Sequence, residues 1–240
     1  MTAPAHVAAC CTSAPFESNY TPKGVYETIS DLPVYFVGEK GKPAIMVAYD
    51  IFGLTPNSLQ FADTLATHGF RVAVPDYYHG NPWVKVPIVM EELFAHLGKH
   101  APTEAVHRDS RLIAAHLRSE GASKVGAVGQ CWGGKIVCEL AAMDDVVDAV
   151  ASVHPAQITE AVVSAIKVPV AFLPSKDEPD FLPFFELLSK KPFGPRNIHH
   201  RFDNMPHGWT GARANYDNPE NVKASQEASE ILANFFKANL

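Results

Sequence analysis

The chain predicts an α/β fold, with a mostly parallel central sheet and helices on both faces. Three observations predict it. Short apolar runs alternate with segments of helical pattern along the 240 residues. Those runs are apolar throughout rather than alternating in polarity, as strands covered on both faces are. The length suits one large core, and no internal repeat, low-complexity tract or linker interrupts it, so a single domain over residues 1–240 is expected.

The elements follow in order. Ala44–Ala48 is a short apolar strand. Asn57–His68 is a helix with Phe61 and Leu65 four residues apart, as are Ala62 and Ala66. Thr55 is its cap, Pro56 its first residue and Gly69 its stop. Arg71–Val74 is the next strand. The segment Gly80–Ala101 is the least regular part. Val86–Leu97 within it could form a short helix, and the segment could either wall a pocket or serve as a plain connection. Thr103–Ser119 carries Val106, Ile113 and Leu117 on one helical face. Lys124–Val128 is a strand and Lys135–Met143 a helix. Val150–Val153 and Val168–Leu173 are apolar strands, and Phe181–Ser189 is a short helix after Asp180. Ile198–Phe202 is the last strand. Asn218–Ala238 closes the chain as a helix, capped by Asn218, with Ile231, Leu232, Phe235 and Phe236 facing inward.

Composition narrows the function. Hydrophobic residues make up 47% and charged residues 19%, which suits a soluble globular protein. The formal net charge is -6 and no Lys/Arg-rich run occurs, so nucleic acid is not an expected partner. No run approaches the roughly 18–20 apolar residues of a membrane span, and no signal peptide is legible. A cytoplasmic protein with no membrane partner is expected, as a monomer or weak dimer. The four cysteines, Cys10, Cys11, Cys131 and Cys138, have the spacing of neither a disulfide framework nor a zinc site. Cys10 and Cys11 read as reduced residues or as a paired regulatory thiol. No metal or cofactor is expected.

The most informative stretch is Gly126–Gly134, GAVGQCWGG, between a strand and a helix. Gly129-Gln130-Cys131-Trp132-Gly133 has the form of a G-x-S-x-G nucleophile elbow with Cys in place of Ser. Glycines two residues before and after the nucleophile let the strained turn pass close to its neighbours. The turn would place the Cys131 sulfur at the start of the following helix, whose positive end favours thiolate. No G-x-S-x-G occurs in the chain, and Cys138 reads as packed on the helix.

A nucleophile needs a base, and the base needs an acid that holds its tautomer. The strand Val168–Leu173 leads into Pro174-Ser175-Lys176-Asp177-Glu178-Pro179-Asp180, at the strand end where parallel sheets place their sites. Asp177, Glu178 and Asp180 compete for the acid. Asp177 is nearest the strand and is favoured; Asp180 reads as a helix cap. Among the 11 histidines, His207 in Met205-Pro206-His207-Gly208-Trp209 lies beyond the last strand, where the base belongs, whereas His199 and His200 fall within it. Cys131, Asp177 and His207 thus fill the roles in chain order.

The elbow GQCWGGK, the loop SKDEP and the segment MPHGW resemble the dienelactone hydrolase (carboxymethylenebutenolidase) family. Val47–Leu54 and Val74–Tyr78 resemble that family's strand ends, and the likeness runs from about Pro43 to the C-terminus. It implies an α/β-hydrolase fold with an eight-stranded sheet, a Cys-His-Asp triad, and hydrolysis of a lactone or small ester through an acyl-enzyme without a metal. It also implies an oxyanion hole, here the N–H groups of Ile51 and Trp132. The family's glutamate that hydrogen-bonds the resting thiol is replaced by Asp50, one methylene shorter. The family binds its substrate carboxylate with arginines; here Asp76-Tyr77-Tyr78 is followed by His79-Gly80-Asn81. Arg213 could anchor an anion or be a surface residue. Tyr78, His79 and Trp209 are further substrate-binding candidates. Trp83, Trp132 and Trp209 either line an aromatic pocket or simply pack. A thiol-based redox sensor or binding protein on the same fold is the alternative to a hydrolase.

Overall fold

The computed structural model describes residues 13–240; Cys10 and Cys11 lie outside the described residues. Eight strands form one sheet: β1 (Val25–Ile29), β2 (Leu32–Val37), β3 (Ala44–Ala48), β4 (Arg71–Pro75), β5 (Val125–Gln130), β6 (Ala149–Val153), β7 (Val170–Leu173) and β8 (Ile198–His199). Their spatial order is β1-β2-β4-β3-β5-β6-β7-β8. From β4 to β8 all neighbours run parallel, while β2 is antiparallel to both β1 and β4. The mostly parallel α/β-hydrolase architecture is therefore present.

The central strands are buried along their whole length, which explains their unbroken apolar sequences. The helices are α1 (Pro56–Thr67), α2 (Met90–His100), α3 (Thr103–Ser119), α4 (Trp132–Leu140), α5 (Glu160–Ala165), α6 (Leu182–Ser189) and α7 (Pro219–Asn239). Thr55 caps α1 by accepting from the Ser58 N–H, and Asn218 caps α7 by accepting from the Glu220 N–H. Among the described residues no helix is long and apolar enough to cross a membrane.

Six elements differ from what the sequence pattern predicts. Neither strand of the hairpin β1–β2 is among those expected: β1 is an edge strand with Val25 and Tyr26 more than half exposed and lacks an apolar run, whereas β2 carries one in LPVYFV. Strand β8 covers Ile198–His199 rather than Ile198–Phe202, so His200 lies beyond it. Helix α4 starts at Trp132 rather than Lys135, directly on the elbow. Helix α2 covers Met90–His100 rather than Val86–Leu97. The six-residue α5, capped by Thr159, is too short to show a helical period.

The elbow is packed to its limit. A Cβ on Gly129 would lie 2.1 Å from the Gly133 carbonyl oxygen, and one on Gly133 would lie 2.0 Å from the Ala48 carbonyl oxygen. Backbone cannot yield to such contacts, so Gly129→Ala and Gly133→Ala should each cost about 3 kcal/mol, the upper end of the usual cost of overpacking. Gly98, inside α2, has open space where a Cβ would sit. Gly98→Ala should instead stabilise by up to about 1 kcal/mol through helix propensity. Urea unfolding of the three variants checks both signs.

Candidate active site

Strand β5 ends at Gln130 and α4 begins at Trp132, so the chain must reverse within one residue. That residue is Cys131, at φ 55° and ψ -116°, in left-handed space that a non-glycine residue rarely enters. Hydrogen bonds hold it there. The Cys131 N–H donates to the Val153 carbonyl at 3.2 Å, and the Cys131 carbonyl accepts from the N–H groups of Gly134 and Ala156 at 3.0 and 3.1 Å. The side chain is buried at the N-terminus of α4, where the helix dipole favours negative charge. Cys138 lies deeper on the same helix, and burial pushes its thiol up to about 12.

His207 comes from the loop after β8. Its Nδ1 is 2.6 Å from Glu178 Oε1, and both side chains are buried. Its backbone N–H donates to Asp177 Oδ2 at 2.8 Å. The two neighbouring acids thus divide the work: Glu178 meets the imidazole and Asp177 fixes the backbone that carries it. Nearness to the strand end favours Asp177 for the imidazole, and the geometry puts Glu178 there instead. The physical reason is the turn after β7. The Ser175 N–H and hydroxyl both donate to the Glu178 carboxylate, the hydroxyl at 3.0 Å, which folds the longer side chain back toward the strand end. A serine three residues before a glutamate is the sequence signal for this.

Asp50, at the end of β3, is buried. Its Oδ1 accepts from the Phe52 N–H at 2.9 Å and its Oδ2 from the Ala212 N–H at 2.8 Å. Burial raises its pKa, against the pull of those two hydrogen bonds and of Arg213 and His207 nearby. The carboxylate therefore ties the loop that presents Ile51 to the loop that follows His207. Among the described residues no backbone carbonyl accepts the N–H of Ile51 or of Trp132, which leaves both donors available.

Two cavities meet at Cys131 and His207. The larger, about 100 Å³, is also walled by Ile51, Trp132, Asp177 and Glu178, and by the apolar side chains of Ile88, Met90, Leu93 and Leu97. The irregular segment is thus a pocket wall, and α2 turns its apolar face inward. Pro155, Ala156 and Gln157, after β6, complete the larger cavity. The smaller is lined by Asp50, Phe52, Gly208 and Arg213 as well. Arg213 Nε and Nη2 donate to the Ser13 carbonyl at 2.9 and 2.6 Å, and its guanidinium lies 5.3 Å from the centre of the Phe52 ring.

Three substrate-binding candidates lie outside both cavities. Trp209 is fully buried against Phe202, with ring centroids 4.4 Å apart. Tyr78 is stacked between Tyr49 and Trp132 and supports the pocket from behind. His79 faces away, with Nε2 3.6 Å from Asp109.

The structure adds residues that the motifs alone do not mark. Gln130, beside Cys131, donates through Nε2 to the Thr210 carbonyl and hydroxyl at 2.7 and 3.1 Å. The same hydroxyl lies 3.0 Å from His154 Nε2. His154 is fully buried and packs edge-on against His207, ring centroids 5.0 Å apart. Its place directly after β6, at the carboxyl edge, is the only sequence signal for it.

Burial drives the His154 pKa well below its ordinary 6.5, and repulsion from His207, when that ring is protonated, adds to the effect. The unfolded chain regains the ordinary value and binds the extra proton. Stability from this residue is therefore complete above about pH 6.5 and falls as the pH drops below it, at about 1.4 kcal/mol per pH unit. Urea unfolding between pH 7 and 5 should show a steeper loss of stability in the wild type than in His154→Phe. Identical slopes would mean that His154 is not held neutral.

Known proteins resemble this chain in sequence and in fold. The profile of the dienelactone hydrolase family matches residues 32–240. An uncharacterised AIM2 family protein of Schizosaccharomyces pombe is 29% identical, over 97% of this chain and 99% of its own length. Dienlactone hydrolase 1 of Gibberella moniliformis is 29% identical, over 70% of this chain and 69% of its own. The crystal structure of dienelactone hydrolase from Anabaena variabilis shares the fold, with a TM-score of 0.62 at 15% identity over 92% of this chain and 98% of the other. The chain belongs to the dienelactone hydrolase family and is a hydrolase of ester or lactone bonds.

Proposed function

We propose that the protein hydrolyses a small lactone or ester through a Cys131–His207–Glu178 triad and a thioester intermediate. One observation carries this reading. A cysteine held in left-handed conformation at a helix N-terminus faces the same cavity as a histidine whose Nδ1 is 2.6 Å from a buried carboxylate.

The steps follow from the geometry. His207 Nε2 takes the proton from the Cys131 sulfur, and Glu178 stabilises the imidazolium through Nδ1. The thiolate attacks the carbonyl carbon. The N–H groups of Ile51 and Trp132 receive the developing oxyanion. The C–O bond breaks as His207 returns its proton to the leaving alkoxide; in a lactone that oxygen stays attached to the acyl chain. Water, deprotonated by His207, then attacks the thioester, and the sulfur leaves. Asp50 and Asp177 position the two loops.

Cys131→Ala should abolish turnover of p-nitrophenyl esters and leave the fold intact. Glu178→Gln should lower kcat on the order of 100-fold or more, the usual range for general acid–base function. Asp177→Asn should act less strongly, through the position of His207. Steady-state kinetics distinguishes these outcomes, and a severe Asp177 effect beside a mild Glu178 effect would return the acid role to Asp177. Iodoacetamide labelling of Cys131 without any ester turnover would favour the alternative of a thiol sensor.

A further inference from the structure

Ester hydrolysis at Cys131 says nothing of what the substrate looks like beyond its carbonyl, and the pocket walls do. The larger cavity carries two kinds of side chain. The wall formed by the segment before α2 and by α2 itself is apolar: Ile88, Met90, Leu93 and Leu97. The polar edge beside His207 holds the carboxyl groups of Asp177 and Glu178, with Gln157 as a neutral polar side chain. Among the described residues no Lys or Arg lines this cavity. Arg213 belongs to the smaller cavity, and its Nε and Nη2 already donate to the Ser13 carbonyl.

An anionic substituent entering the larger cavity would lose its water and gain no cation in return. It would also approach two carboxyl groups. Burying an unpaired carboxylate costs several kcal/mol, and like charge nearby adds to that cost. An alkyl substituent meets the opposite balance, since each buried methylene contributes about 0.8 kcal/mol. Size sets a second limit. A dry apolar cavity of roughly 150 Å³ admits benzene, so the cavity of about 100 Å³ here has room for roughly four carbons.

Resting on the hydrolase reading above, we propose that the substrate is an uncharged lactone or ester whose acyl group is apolar and about four carbons long. The pocket selects against a carboxylate on that group.

The test uses three esters with the full chain. They are p-nitrophenyl butanoate, p-nitrophenyl hemisuccinate, and p-nitrophenyl 4-oxopentanoate, in which a methyl ketone of the same size replaces the carboxylate. After subtraction of the enzyme-free rate, the expected kcat/KM for the hemisuccinate is on the order of 100-fold below that for butanoate, and the ketone should recover most of the loss. Equal rates for butanoate and hemisuccinate, or a preference for the hemisuccinate, would overturn the proposal. So would a ketone as poor as the free acid, because bulk rather than charge would then set the preference. An octanoyl ester should fall at least about tenfold below butanoate, and a rate that keeps rising to octanoyl would overturn the size limit. Absence of turnover with every ester, while Cys131 is still alkylated by iodoacetamide, would instead remove the hydrolase reading itself.

Discussion

The whole carboxyl edge of the sheet depends on the contact between the Gly133 backbone and the Ala48 carbonyl oxygen. Strand β3 and helix α4 approach so closely there that no side chain fits. This contact seats the first turn of α4 on the sheet, and the chain can then reach α4 from β5 only by way of a left-handed residue at position 131. The same turn leaves the N–H of Trp132 at the helix terminus, while Ile51 lies just beyond the end of β3. The strained Cys131, the helix dipole beside it and the candidate oxyanion donors are thus products of one packing constraint. The cost of the strained φ is met by three hydrogen bonds to the Cys131 peptide groups.

A strained turn positions only one member of the proposed triad. The others arrive on loops, and loops need fixing. Buried polar side chains do this here. Asp50 bridges Phe52 to Ala212, Gln130 reaches Thr210, and Asp177 holds the His207 N–H. Each joins the segment around His207 to a different strand end. Buried polar groups are costly unless satisfied, so these bridges specify one loop arrangement as well as stabilising it. The neutral His154 closes the set by packing against His207.

The pocket has a different origin. Its rim around Cys131 and His207 is built from strand ends, while its outer wall is the segment between β4 and α3, which contributes to no strand. The rim is constrained by the sheet, and the wall is free to vary in what it presents. A cysteine elbow and a histidine–carboxylate pair can therefore be kept with a wall that carries no arginine, which separates the chemistry of the site from the charge of its substrate.

The residues by themselves determined the succession of inner strands along the chain, the caps at Thr55 and Asn218, the elbow at Cys131 and the place of His207. Each of these is a local matter: burial on both faces, a first-turn acceptor, a glycine pair at fixed spacing, a position after the last strand. What lay beyond local pattern was decided by the tertiary structure. The choice between Asp177 and Glu178 turned on how the Ser175 hydroxyl and N–H fold the loop back, a difference of one residue that no periodicity records. Trp209, Tyr78 and His79 sit close to motif residues in sequence, yet packing turned them away from both cavities. His154 and Thr210 met across 56 positions, and Asp50 and Ala212 across 162. Short-range pattern follows from the chemistry of neighbouring residues, whereas these partnerships exist only once the sheet has brought its carboxyl ends together.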